Sequence, residues 1–202
     1  MKKVQYCFNS IGAGMTLLLA LLLVGCGSSG GSGTATGMGT LSVSLTDAPA
    51  CGFEAVNVTV SKVRVHQSSS ASDQTAGWAD ITLNTPRKIN LLDLNDPTQP
   101  NLALDSLGDT PLEAGHYTQL RLVLEPNSNN PHAALSNSVV LAGTTTEIAL
   151  DTPSAIQSGV KLIHQFEVGA GQHVDLVLDF DACKSVVAHN NGKYILKPVI
   201  KV

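Results

Sequence analysis

Aromatic side chains are scarce: four Phe, three Tyr and one Trp make up 4% of the 202 residues. Charge is thin as well, at 14%, with 12 Lys and Arg against 16 Asp and Glu. A net charge of −4 provides no basic face, which excludes a generic nucleic-acid binder that relies on phosphate contacts. From Thr40 onward there is no Gly-x-Ser-x-Gly, no His-Glu-x-x-His and no phosphate-binding glycine loop, so the familiar nucleophile, zinc and nucleotide chemistries are unannounced. The shortage of aromatics also argues against a two-carboxylate glycosidase. Apolar residues are not scarce. At 43% they exclude a disordered chain, and the length allows one domain, two at most.

The first 25 residues read as an address. Lys2 and Lys3 form a short basic start, and Met15 to Val24 is an apolar run rich in leucine. That run is too short for a mature membrane span, which needs about 20 apolar residues, and it fits the core of a secretory signal peptide. It closes on Leu23-Val24-Gly25-Cys26, which resembles a bacterial lipobox. The resemblance implies cleavage before Cys26, a diacylglyceryl group on its thiol and a further acyl chain such as palmitate on its amine. Two or more chains anchor stably where one holds only marginally. Gly at position 27 resembles the default outer-membrane sorting of Gram-negative lipoproteins. Residues 27–39 hold six glycines and five Ser or Thr, the composition of a flexible tether reaching about 20 Å. Without Lys2 and Lys3 the chain keeps 10 Lys and Arg against 16 acids, a net −6. Lipid, rather than electrostatics, is therefore the expected link to the membrane.

With Cys7 in the signal and Cys26 lipidated, Cys51 and Cys183 remain. In an exported, oxidising compartment one leftover pair points to a disulfide, the other reading being two buried thiols. The bridge would close a loop running from Cys51 to Cys183, for which chain entropy sets an upper figure of about 5 kcal/mol.

From residue 40 the hydrophobic period is two. Leu41, Val43 and Leu45 alternate with polar neighbours, as do Val56, Val58 and Val60. Parity then flips to Val63 and Val65, which predicts a β-bulge near Ser61-Lys62. Ile81 with Leu83, Leu120 to Leu124 and Ile148 with Leu150 predict further strands. Residues 160–168 and 174–180 alternate most cleanly, with Gly169-Ala170-Gly171 between them. Asn191-Gly192 is a type I′ hairpin signal, and Pro198 suits an edge or a bulge in a last strand from Tyr194 to Val202. Gly115-His116-Tyr117 before a strand resembles the tyrosine corner of Ig-like and prealbumin-like domains. The expected fold is an all-β antiparallel sandwich of seven to nine strands over residues 40–202, with one core. Within the poorly patterned segment 84–112, a short helical turn is expected around Leu91 to Leu94 or Leu102 to Leu107.

Leu45-Thr46-Asp47-Ala48-Pro49, Gly115 to Leu122, Thr152-Pro153-Ser154 with Ser158 to Leu162, and Leu178 to Ser185 with Leu196-Lys197-Pro198-Val199 occur in this order. Together they resemble the exported bacterial and archaeal lipoproteins of domain of unknown function 4382. The resemblance implies a tethered β-domain and supplies no catalytic residue.

Asp179 and Asp181 lie on one strand face, about 6.5 to 7 Å apart. With Asp47 they are candidates for an oxygen-rich Ca²⁺ site, and no other cofactor is expected. The competing reading makes Asp181 a cap for Ala182 to Ser185 and Asp47 an Asx-turn. The six histidines never pair closely, although His164 and His173 flank the Gly169 turn and would meet if it closed a hairpin. Lys161, Lys184 and Arg121 are expected to pair with nearby acids. The function that follows is noncatalytic: an envelope lipoprotein, held by its N-terminal lipid, presenting loops to an envelope protein or a glycan and not to nucleic acid. The alternative is a metal-dependent or hydrolytic enzyme with an unfamiliar site.

Overall fold

The computed structural model describes residues 37–47, 52–95, 104–153 and 158–202. The expected signal, Cys26, Cys51 and most of the expected tether lie outside them. Strand β1 (Met38–Asp47) sets the pattern: Leu41, Val43 and Leu45 are fully buried, while Thr40, Ser42, Ser44 and Thr46 turn outward. It begins at Met38, inside the stretch that composition assigned to the tether. Met38 pairs with Glu113 and Gly39 with Leu112 there, so backbone pairing outweighs a glycine-rich composition.

Twelve strands are present among the described residues, in sheets of four and eight. The remaining strands are β2 (Phe53–His66), β3 (Ala79–Asn90), β4 (Asp105–Glu113), β5 (Gly115–Leu124), β6 (Ser138–Leu141), β7 (Glu147–Asp151), β8 (Val160–Val168), β9 (His173–Phe180), β10 (Val186–His189), β11 (Lys193–Leu196) and β12 (Ile200–Lys201). The small sheet runs β12-β9-β1-β4. The large one runs β10-β11-β7-β6-β2-β5-β8, with β3 also paired to β2. One apolar cluster joins the inner faces, with Leu41, Leu178 and Phe180 from the small sheet meeting Val58, Leu122 and Leu150 from the large. This is the expected all-β sandwich, with more strands than the seven to nine anticipated and, instead of a wholly antiparallel arrangement, two parallel pairings, β1 with β9 and β11 with β7.

The bulge in β2 falls where the parity flips. Val60 pairs with Leu124 and Lys62 with Val123, leaving Ser61 as the extra residue, and its hydroxyl donates to Val123 O at 3.2 Å. Strand β6 meets β2 over Phe53–Asn57 and β5 meets it over Val60–His66. The handover is filled by a side chain. Asn137 Oδ1 accepts from Thr59 N at 3.0 Å, and its Nδ2 donates to Glu125 O at 2.6 Å. Asn137 is fully buried, so these bonds offset a desolvation cost of about 1–3 kcal/mol.

Three expectations change. Within 84–112 the described residues hold the second half of β3, a 3₁₀ turn over Leu91–Asn95 at the first of the two places expected, and a strand, β4, from Asp105 onward, where no strand was expected. The last strand splits at Lys197-Pro198-Val199: β11 lies in the large sheet and β12 at the edge of the small one. Proline cannot donate to a ladder, which makes it a natural place to break one. The turn at Gly169 joins different sheets, since β8 pairs with β5 and β9 with β1 and β12, so His164 and His173 do not meet across a hairpin. The Asn190-Asn191-Gly192 loop does close the β10–β11 hairpin, with φ of 65° at Asn191 and 69° at Gly192.

Candidate functional site

At the far end of β1, Asp47 is buried, and its Oδ1 accepts from Ala182 N at 2.8 Å. Asp181 caps the short helix α1 (Ala182–Ser185) by accepting from Lys184 N at 3.0 Å. Its other oxygen pairs with Lys184 Nζ at 2.6 Å. The Lys184 ammonium and backbone N–H hold the Asp181 carboxyl below the usual carboxylate range, and the carboxylate in turn raises the Lys184 pKa. Asp179 stands elsewhere. In the parallel register Thr46 faces Asp179 and Asp47 faces Phe180, which puts Asp47 on the core side and Asp179 on the outer side of the sheet. The three aspartates therefore do not converge as one oxygen cage. Among the described residues no group of three His, Cys, Asp or Glu is arranged to hold a metal ion. Lys184 finds its acid as expected, and the capping reading of Asp181 describes the geometry.

A Ser-His-Asp grouping occurs on the outer face of the small sheet. Ser42 Oγ lies 3.1 Å from His173 Nε2, and the same nitrogen lies 3.0 Å from Asp175 Oδ1. A nucleophile relay needs Nε2 toward the hydroxyl and Nδ1 toward the carboxylate. Here both partners lean on one nitrogen. When Nε2–H donates to Asp175 it has no lone pair left to take the serine proton. His116 Nδ1 lies 2.6 Å from Glu167 Oε1 in a solvent-exposed pair.

The densest polar construction lies at the other end of the sandwich, where residues 67–78 fold over the outer face of the large sheet. Trp78 donates from Nε1 to Ser72 O at 2.8 Å. The guanidinium carbons of Arg64 and Arg121 each lie 4.8 Å from the centre of its ring, within cation–π range. Arg64 Nε also donates to Asp80 at 2.8 Å. Arg121 is buried and, contrary to the sequence expectation, has no carboxylate partner among the described residues. Its nitrogens donate to Ala71 O at 2.7 Å and Ser158 O at 2.9 Å. Gln119, fully buried beside it, donates to the same Ala71 carbonyl at 3.3 Å. His66 fixes the loop's base: Nε2 lies 2.9 Å from Ala76 O and Nδ1 accepts from Ser68 N at 2.8 Å, which sets the neutral Nε2–H tautomer.

Beside this loop opens a cavity of about 410 Å³, lined by Met38, His66, Trp78, Leu112, Glu113 and Tyr117 among others. That volume falls in the range of small-ligand sites. Tyr117 forms the expected tyrosine corner, donating from its hydroxyl to Glu113 O at 3.0 Å and stacking on Phe166 at 5.3 Å between centroids. Burial, opposed by a bond with the Gln67 side chain and aided by the Glu113 charge, pushes the Tyr117 pKa above its ordinary value of 10.0. The corner was legible in the Gly-x-Tyr motif. The Arg64–Trp78–Arg121 cluster was not, because its members come from two strands, β2 and β5, and a loop.

No curated protein and no solved structure matches the chain. Residues 38–198, from the start of β1 to the proline after β11, match the model of one family, and the chain belongs to it: domain of unknown function 4382.

Proposed function

We propose that this chain is a lipid-anchored envelope protein, held in the outer membrane of a Gram-negative bacterium through Cys26, whose sandwich works by binding an envelope protein or glycan and not by catalysis. The observation that carries the anchor is the order of features: basic start, apolar run, Leu23-Val24-Gly25-Cys26 and a Gly/Ser stretch leading directly to β1. The binding role is supported by the cavity beside Trp78, whose lining side chains His66 and Tyr117 are fixed by hydrogen bonds before any partner arrives. Preorganised side chains reduce the ordering cost of association.

The deciding experiment combines mild crosslinking of the intact lipoprotein in its membrane with a broad hydrolase panel. A discrete envelope molecule should be captured by the native protein and lost from a Trp78→Ala variant. Turnover of any substrate that disappears in Ser42→Ala or His173→Ala would replace the binding reading with an enzymatic one.

A disulfide between Cys51 and Cys183 belongs to the same proposal. Cys51 follows the end of β1 by four residues, and Cys183 lies in α1, whose first N–H is held by Asp47 at that strand end. Four residues of chain span at most about 14 Å, enough to bring the sulfurs together. Thiol counting on denatured, unreduced protein made in an oxidising compartment should find neither cysteine free. Two free thiols would remove the bridge from the account.

A further inference from the structure

The wall of the cavity beside Trp78 has two kinds of surface. Met38, Trp78, Ala79, Pro111 and Leu112 supply an apolar part. In the rest, the ring and hydroxyl donors are already used. The Trp78 indole N–H goes to Ser72 O at 2.8 Å, and the Tyr117 hydroxyl goes to Glu113 O at 3.0 Å. His66 gives its Nε2–H to Ala76 O and accepts from Ser68 N at Nδ1, so both ring nitrogens are engaged and the ring is neutral. The Gln67 side chain bonds the Tyr117 hydroxyl as well.

One charged side chain lines this cavity, Glu113. Its backbone carbonyl serves Tyr117, while its carboxylate has no ion pair among the described residues. The charge is felt at the neighbouring Tyr117 hydroxyl, whose pKa it helps to raise. Arg64 and Arg121 stand against Trp78, yet neither lines the cavity, and Arg64 is already paired with Asp80 at 2.8 Å. The site thus combines an apolar wall, an unpaired anion and donors committed elsewhere.

That combination selects among ligands. A sugar brings several hydroxyls, each wanting donors as well as acceptors, to a wall whose ring and hydroxyl donors are spent. An acidic group would meet Glu113 as a like charge. A long basic side chain suits both surfaces: its methylenes lie on Met38, Trp78 and Leu112 while its charged head meets the carboxylate. Hydrogen bonds between two such ions are about twice as strong as neutral ones. A cavity of about 410 Å³ is large enough for one such side chain. We infer that the cavity takes a lysine or arginine side chain of an envelope protein. This rests on the binding role proposed for the cavity, and it narrows the partner to a protein with an exposed basic residue.

Trp78 is the one tryptophan of the chain, so its emission reports on this cavity. The full-length protein in a neutral detergent is titrated with the N-acetyl methylamides of lysine, arginine and norleucine, and with N-acetylglucosamine. Binding is read by Trp78 emission and by titration calorimetry. The lysine and arginine probes should bind saturably and about tenfold tighter than norleucine, which keeps the carbon stem and lacks the charge. Glu113→Gln retains the backbone carbonyl that Tyr117 uses, and should cut affinity for both basic probes about tenfold while leaving norleucine unchanged. Thermal melts confirm that the variant is folded. Norleucine or N-acetylglucosamine binding as tightly as lysine, no binding of either basic probe, or equal affinities in wild type and Glu113→Gln would each overturn the inference. Crosslinking in the membrane separates it from the binding role beneath it. A protein partner lost from both Trp78→Ala and Glu113→Gln supports the basic anchor, whereas a partner lost from Trp78→Ala and kept by Glu113→Gln would overturn the anchor alone.

Discussion

The two ends of β1 are closed by different chemistry. At Met38 the closure is steric. Gly39 packs so tightly that an added Cβ would lie 2.5 Å from Val168 Cγ1, 2.6 Å from Gly169 O and 2.7 Å from Gln172 O. Backbone bonds from Ala114 to Gly37 and from Gly171 to Met38, each 2.8 Å, tie both inter-sheet turns to the strand, and the Tyr117–Phe166 stack lies at the same end. At Asp47 the closure is ionic and polar: one buried carboxylate holds the first N–H of α1, and a second caps and pairs with Lys184. The steric end should be sensitive to a single methyl group and indifferent to acid. The carboxylate end should tolerate changes of size but weaken as Asp181 takes up a proton.

The largest expected effect is at the steric end. Gly39→Ala should cost about 3 kcal/mol or more in denaturant unfolding, because two of the three clashing atoms are backbone oxygens that cannot turn away. Gly171→Ala makes the contrast. Its φ is +72° with nothing within 4 Å of the added carbon, so only backbone strain of about 1–2 kcal/mol is expected. Equal losses at the two glycines would mean that the closure at Met38 is not steric.

Next comes Asp47→Ala, which strands a buried Ala182 N–H and should cost about 2 kcal/mol. Tyr117→Phe keeps the ring on Phe166 and removes only the bond to Glu113 O, for about 1 kcal/mol by the same denaturant measurement. The smallest effect belongs to Asp181. Its folded pKa is depressed by Lys184, so its contribution is present above the ordinary value of 3.8 and lost as pH falls through the lower folded value. Melting temperatures of wild type and Asp181→Asn should therefore differ slightly near neutral pH and converge in acid. A gap that persists in acid would show that the cap acts through shape and not charge.

What could be read from the residues depended on whether a contact leaves a local trace. The bulge at Ser61 leaves one, because it shifts the buried valines from even to odd positions. Tyr117 and the capping Asp181 also carry short motifs. Alternation in β8 and β9 gave both strands, yet it cannot say which strand lies beside which, and the two belong to different sheets. The second half of β3 was hidden because Thr85, Pro86, Arg87 and Lys88 are all exposed; pairing to β2 and the 2.7 Å Lys88–Glu147 bridge hold that stretch in place. Strand β4 was masked by Gly108 and Pro111. Arg121 illustrates the limit for the candidate site. Its sequence neighbours suggested an acid partner, whereas Ala71, 50 residues away, and Ser158 supply carbonyls.

The most direct measurement is the mass of the N-terminus of the protein recovered from membranes, in the wild type and in Cys26→Ser. The expected wild-type product begins at Cys26 with a diacylglyceryl thioether and an acylated amine, while Cys26→Ser accumulates uncleaved and without lipid. A mature wild-type chain that begins elsewhere without lipid, or a lipid-modified mature Cys26→Ser protein, would contradict the assignment of this sandwich to a lipid-anchored place in the envelope.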